Sequence, residues 1–184
     1  MNFKSFTLSS LLLTSFHGLC AAQSYEPGET LVLKTNLHPD MAKRYLYTIN
    51  YNLDSLMPMC SEVKIVKKKK RSWLKFEWEG QVYVMEFDKH TSRSGADFDA
   101  VLNNYFGTEC DEKTVAGMSE VDQKGIKAGL PYLGMTRQGI IYAMGRPPVH
   151  ANPDLEAPSF TYWRNRFSRQ IIHFDEQGVV SDIR

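Results

Sequence analysis

The chain has 184 residues, 42% of them apolar and 23% charged, with 22 Lys+Arg against 21 Asp+Glu. This balance belongs to a folded protein of one large or two small domains, and it excludes a disordered or low-complexity chain. A formal net charge of +1 provides no global field to draw the molecule to nucleic acid, so any electrostatic function is local.

Residues 1–22 read as an export signal. Lys4 is the only charge before Glu26, an apolar core spans residues 8–19, and Cys20-Ala21-Ala22 places small residues where a leader peptidase reads them. The run is too short and too polar to span a bilayer, and no later stretch is long enough. Cleavage after Ala22 removes Lys4 and leaves 21 cations against 21 anions. The expected mass of the native protein therefore starts at Gln23; an intact Met1 or a diacylglyceryl group on Cys20 contradicts this reading.

Residues 30–34, 45–49, 63–66, 73–78 and 81–87 are rich in β-branched and aromatic residues. The fourth run alternates, and Glu79-Gly80 makes a compact turn after it. Five short strands predict a small SH3-like β barrel over residues 23–95. Lys67, Lys68, Lys69, Lys70 and Arg71 fall between two of these strands and read as a hairpin tip. Their mutual repulsion keeps them in water. The functional alternative is peripheral contact with anionic lipid, with glycan phosphate or with an acidic protein loop.

Phe98, Val101, Leu102 and Tyr105 recur at helical spacing and predict a helix over residues 97–106, followed by a linker over 107–117. The whole of 96–117 is thus helix and linker. A second helix is predicted over residues 120–127, with Ser119 and Asp122 in a capping-box arrangement and Gly125 weakening it. A third follows Thr136, with Ile140, Ile141 and Met144 on one face. Gly145 is expected to end it in the left-handed conformation, and Pro147 stops any continuation. Strands are predicted over residues 160–163, 170–174 and 179–183. The class is α+β, and residues 118–184 form a two-layer unit of two helices on a three-stranded antiparallel sheet.

Cys60 and Cys110 remain after processing. An even pair in an exported chain reads as a candidate disulfide; two separate buried thiols are the other reading. No catalytic motif, phosphate loop or dinucleotide fingerprint is present, and His38, His90, His150 and His173 are not at metal-ligand spacing. The sequence calls for no cofactor and no metal, and no enzymatic activity is expected.

His150 follows a diproline, so it reads as a pinned loop histidine or as a contact for a ligand or partner. The run from Tyr162 to Phe167 mixes aromatics with arginines, as interfaces do; the plainer reading turns the aromatics inward and the arginines to water. Trp163 belongs to this run. Arg164, Arg166 and Arg169 are placed with Tyr142 along one sheet edge.

Gly134-Met135-Thr136, then a helix, then Gly145-Arg146-Pro147, then Phe174-Asp175 through Gly178-Val179-Val180 resembles the BamE/SmpA (OmlA) family of outer-membrane assembly lipoproteins. The resemblance covers residues 117–184 and implies a scaffolding protein of the envelope, without enzymatic chemistry. Members of that family carry a lipidated cysteine preceded by Gly, Ala or Ser. Here Leu19 precedes Cys20, so Cys20 is read as unlipidated. The expected function is an exported, non-enzymatic binding module at the periplasm or outer membrane. It engages envelope proteins and not nucleic acid. The alternative is a secreted inhibitor or effector-like binder of a soluble enzyme.

Overall fold

The computed structural model describes residues 23–184, so the expected leader and Cys20 lie outside the described residues. The first half of the chain builds a curled half-barrel sheet, and the second half builds a three-stranded sheet covered by helices. No helix among the described residues is long and apolar enough to cross a membrane.

The half-barrel uses β1 (Thr30–Leu33), β2 (Tyr45–Tyr47), β3 (Glu62–Lys69), β4 (Trp73–Trp78), β5 (Gln81–Glu86) and β6 (Phe106–Gly107), in the spatial order β2-β5-β4-β3-β1-β6. Neighbours are antiparallel except β2 and β5, which run parallel. Alternation sends Leu31, Leu33, Val63, Ile65, Leu74, Phe76, Tyr83 and Met85 into one core with Phe98, Leu102 and Phe106.

β3 is longer than predicted. Its inward residues, Val63 and Ile65, pin the register, and a bulge between Ile65 and Lys67 carries the strand on to Lys69. Lys67, Lys68 and Lys69 therefore sit in the strand, and only Lys70 and Arg71 of the run reach the turn, which Ser72 completes.

Two short helices follow. α1 (Lys89–Arg93) starts where Asp88 accepts from the amides of His90 and Thr91, and α2 (Phe98–Leu102) starts where Asp97 accepts from Asp99 and Ala100. The ten-residue helix predicted over residues 97–106 stops at Leu102. The four apolar residues of its pattern are all buried, but Tyr105 and Phe106 leave the helix to extend the sheet. There the Lys34 amide donates to the Tyr105 carbonyl, and Phe106 pairs with Leu33. The linker is structured as well, with α3 (Glu112–Ala116) inside it. Cys60 and Cys110 form a disulfide, with Cα atoms 5.3 Å apart.

In the second half, α4 (Glu120–Ala128) and α5 (Arg137–Met144) cover the sheet β7-β8-β9 (Ser159–Asn165, Ser168–Phe174, Val180–Ile183). Met135, Ile140, Ala143, Met144, Phe160, Tyr162 and Ile172 fill the core between them. Ser119 caps α4 through the Asp122 amide, and Thr136 caps α5 through Gly139. Asp122 is buried and joins the two starts, accepting from the Thr136 amide at 2.8 Å and its hydroxyl at 3.2 Å.

The glycines of these helices permit that close approach. A Cβ on Gly139 would collide with the Asp122 carboxylate, and one on Gly125 would collide with the Met135 side chain. Gly125 weakens α4 intrinsically, and the helix crossing is what it makes room for.

Candidate functional site at the junction of the two halves

An α-helix leaves its last four carbonyls without partners inside the helix. The end of α5 meets them in an unusual way. Gly145 has φ 80° and ψ 169°, so the chain leaves the helix extended and not in the left-handed turn expected from the sequence. No following turn covers the carbonyls. Side chains and an amide from the first half of the chain do so instead.

The Asn36 amide donates to the Tyr142 carbonyl at 2.9 Å, and its side-chain nitrogen donates to Ala143 at 3.1 Å and to Ile126 at 2.7 Å. Asn50 and Asn52 both donate to the Met144 carbonyl, at 2.9 and 3.2 Å. The Gly145 carbonyl accepts from the Tyr162 hydroxyl at 2.8 Å. Asn36, Asn50 and Asn52 are all nearly fully buried. Buried carboxamides in low dielectric hold strongly when paired and cost dearly when not, so this clamp fixes the two halves relative to each other.

His38 belongs to the same clamp. Its Nε2 faces the Ala143 carbonyl at 3.2 Å and its Nδ1 faces Ser55 at 2.8 Å. Burial holds the imidazole below its usual pKa, outweighing the pull of those carbonyls toward the charged form. The folded state thus binds fewer protons than the unfolded state between the folded pKa and about 6.5. Stability that is fully present above that window is lost as pH falls through it. We expect the urea midpoint to drop between about pH 7.5 and 5.5 and the drop to shrink in His38→Gln. His150, also lowered by burial, keeps part of the slope. An unchanged slope in His38→Gln contradicts this assignment.

On the surface over the clamp, three rings lie side by side, tilted 30° and 35° from one to the next. Trp163 of β7 lies 5.3 Å from His150, which lies 5.3 Å from His90 of α1. Both halves of the chain thus contribute to one aromatic patch. Asn152 pins the loop that carries His150, donating to Pro148 and Thr161 and accepting from the Thr161 amide. Asn52 brings the other side in, through its amide on the Trp163 carbonyl. Tyr51 follows, its ring 5.7 Å from Tyr47, which is 5.2 Å from Tyr45. Burial, with Asp88 and Tyr47 nearby, raises the Tyr51 phenol, and Arg166 opposes that rise.

Two hollows flank His38. One, of about 270 Å³, is lined by Asn52, Leu56, Leu130, Met144, Arg164 and Gln170 among others. The other, of about 210 Å³, is lined by Tyr45, Tyr47, Tyr51 and Leu53.

The residues singled out from the sequence fall into separate places. Trp163 and His150 come together at the junction, and Arg166 lies over Phe167 with its charge felt at Tyr51. Arg164 lines the larger hollow, whereas Arg169 pairs across the ladder with Trp163, so the three arginines do not form one row. Tyr142 is apart from them: it is buried, and its hydroxyl donates to Asp111 at 2.8 Å. Burial and that bond push its phenol up to about 12, and its role is to hold the linker.

Lys67, Lys69, Lys70 and Arg71 are exposed on the half-barrel, away from the junction. Lys68 is not left in water: it pairs with Asp99 and lies 5.1 Å over the Tyr25 ring. Sequence reasoning missed the clamp and the tyrosines. The usable signal was the pair Asn36-x-His38 and Asn50-x-Asn52 flanking β2, polar residues in an apolar frame without turn glycines.

Among the described residues no group of three or more His, Cys, Asp or Glu is arranged to hold a metal ion. No protein-family model, curated protein or solved structure matches the chain.

Proposed function

We propose that this chain is an exported, non-enzymatic binding module of the cell envelope, working as a scaffolding or accessory protein. Its partner is a protein that docks on the junction patch of Trp163, His150, Tyr51 and Arg166. The observation that carries this reading is the run of Trp163, His150 and His90, tilted ring beside tilted ring, built from both halves and held over the asparagine clamp. Large aromatics beside arginine on a preorganised surface are the composition of binding hot spots.

The Cys60–Cys110 bond supports export, because disulfides persist in oxidising compartments. Two helices over a three-stranded antiparallel sheet fit the BamE-like unit implied by the resemblance, and the curled half-barrel before it stands where the SH3-like barrel was expected.

The test is photo-crosslinking in intact cells from Phe167. It is 83% exposed beside Arg166 and outside the three-ring patch, so replacing it leaves the fold alone. We expect a discrete adduct with an envelope protein, reduced in Trp163→Ala. An adduct with a soluble secreted enzyme supports the inhibitor reading and overturns the scaffold. Adducts equal to those from Lys124, exposed on α4, show no specific partner at the junction.

A further inference from the structure

The half-barrel carries a second ordered surface, set by its strand register. The face opposite the core presents three rows of side chains across β2, β5, β4 and β3. The first row is Tyr47, Glu86, Trp73 and Lys69; the second is Tyr45, Val84, Lys75 and Lys67. The third, without β2, is Val82, Glu77 and Lys64. Aromatics begin the first two rows and lysines end all three, over about 14 Å of sheet at the usual strand spacing.

Stability does not explain this arrangement. Lys67 stands directly opposite Lys75, a like-charge pair that weakens the ladder. Lys75 also lies 5.2 Å over the Trp73 ring, so cation and aromatic share one spot. No residue of the apolar core reaches this side: the core lies on the concave face.

We propose that this convex face binds an acidic polysaccharide. Sugar rings lie on Tyr45, Tyr47 and Trp73, whose negative ring faces attract polarised C–H groups. Spaced carboxylate or phosphate groups of the polymer meet Lys67, Lys69 and Lys75. Its hydroxyls donate to Glu86 and Glu77, which stand inside the rows.

Those two carboxylates decide between polymers. A nucleic acid puts a phosphate on every unit and would press charge against Glu86; a chain with spaced anions and many hydroxyls avoids this. An anionic bilayer is as densely charged, and it meets a convex sheet at few points. This inference does not rest on the proposed junction partner; Tyr45 and Tyr47 border both surfaces, with Tyr47 against Tyr51, whereas Trp73 and the lysines belong to the convex face alone.

The probe is a hyaluronate oligosaccharide, with carboxylates on alternate sugars, titrated against the full chain. We expect saturable binding that weakens roughly tenfold between about 50 and 300 mM NaCl. The variant Lys67→Gln/Lys69→Gln/Lys75→Gln should lose at least about tenfold in affinity. Its melting temperature should hold or rise, because the like-charge pair is gone. Trp73→Leu should weaken binding and keep the salt slope. Absence of hyaluronate binding overturns the proposal, as does a triple variant that binds like the native chain. It is equally overturned if single-stranded poly(dT), or vesicles rich in phosphatidylglycerol, bind through the same lysines at least as tightly as hyaluronate.

Discussion

Gly145→Val should lower stability by about 2–6 kcal/mol, the largest effect expected of a single substitution in this chain. Two causes add. With φ 80° and ψ 169°, Gly145 occupies a region essentially closed to side chains, and forcing one in costs about 1–3 kcal/mol. A Cβ there would also sit 2.6 Å from the Asn50 side-chain nitrogen, which donates to the Met144 carbonyl. Displacing Asn50 leaves buried polar groups unpaired, at about 1–3 kcal/mol more. For a chain of this size the melting temperature should fall by about 10 °C.

The two causes separate in a double-mutant cycle. In an Asn50→Ala background the collision is gone, so Gly145→Ala should add only the backbone strain. Additive losses would place the whole effect in the backbone and remove Asn50 from the account.

Removing the disulfide should cost about as much. Cys60 and Cys110 close a loop of 50 residues, for which chain entropy gives about 4 kcal/mol. The bond ties the start of β3 to the segment after β6, next to Asp111, which holds Tyr142 of α5. Its loss therefore loosens the linker as well as the half-barrel. Cys60→Ala/Cys110→Ala should lower the urea midpoint strongly, and a reductant should lower the midpoint of the native chain toward the same value. Two titratable thiols in the native protein would rule the bond out.

How far the sequence was legible follows from how far each cause reaches along the chain. The start of α5 was readable because Thr136, Gly139 and the apolar face lie within one turn of each other. Its end was only half readable. Gly145 marked the place, but the partners of its carbonyls lie some ninety residues upstream, and no local pattern names them.

The hairpin tip was read as starting at Lys67, three residues early, because charge density favours water. A strand with one wet face satisfies that preference too, and Val63 and Ile65 set the register that extends it. Periodicity over residues 97–106 identified the buried residues but not the element, since pairing with β1 outweighed helix continuation after Leu102. Trp163 and His150 were each noticed, yet their contact depends on Asn152 pinning a loop. His90 entered only through α1, a five-residue helix too short to show a period.

The central claim is that the two halves form one rigid platform whose junction is the recognition surface. Calorimetry of the whole chain tests it most directly. The account predicts a single transition whose calorimetric and van't Hoff enthalpies agree, because the buried asparagines and the disulfide couple both cores. Two resolved transitions, one for each core, would show that the halves unfold independently and that no fixed patch exists between them.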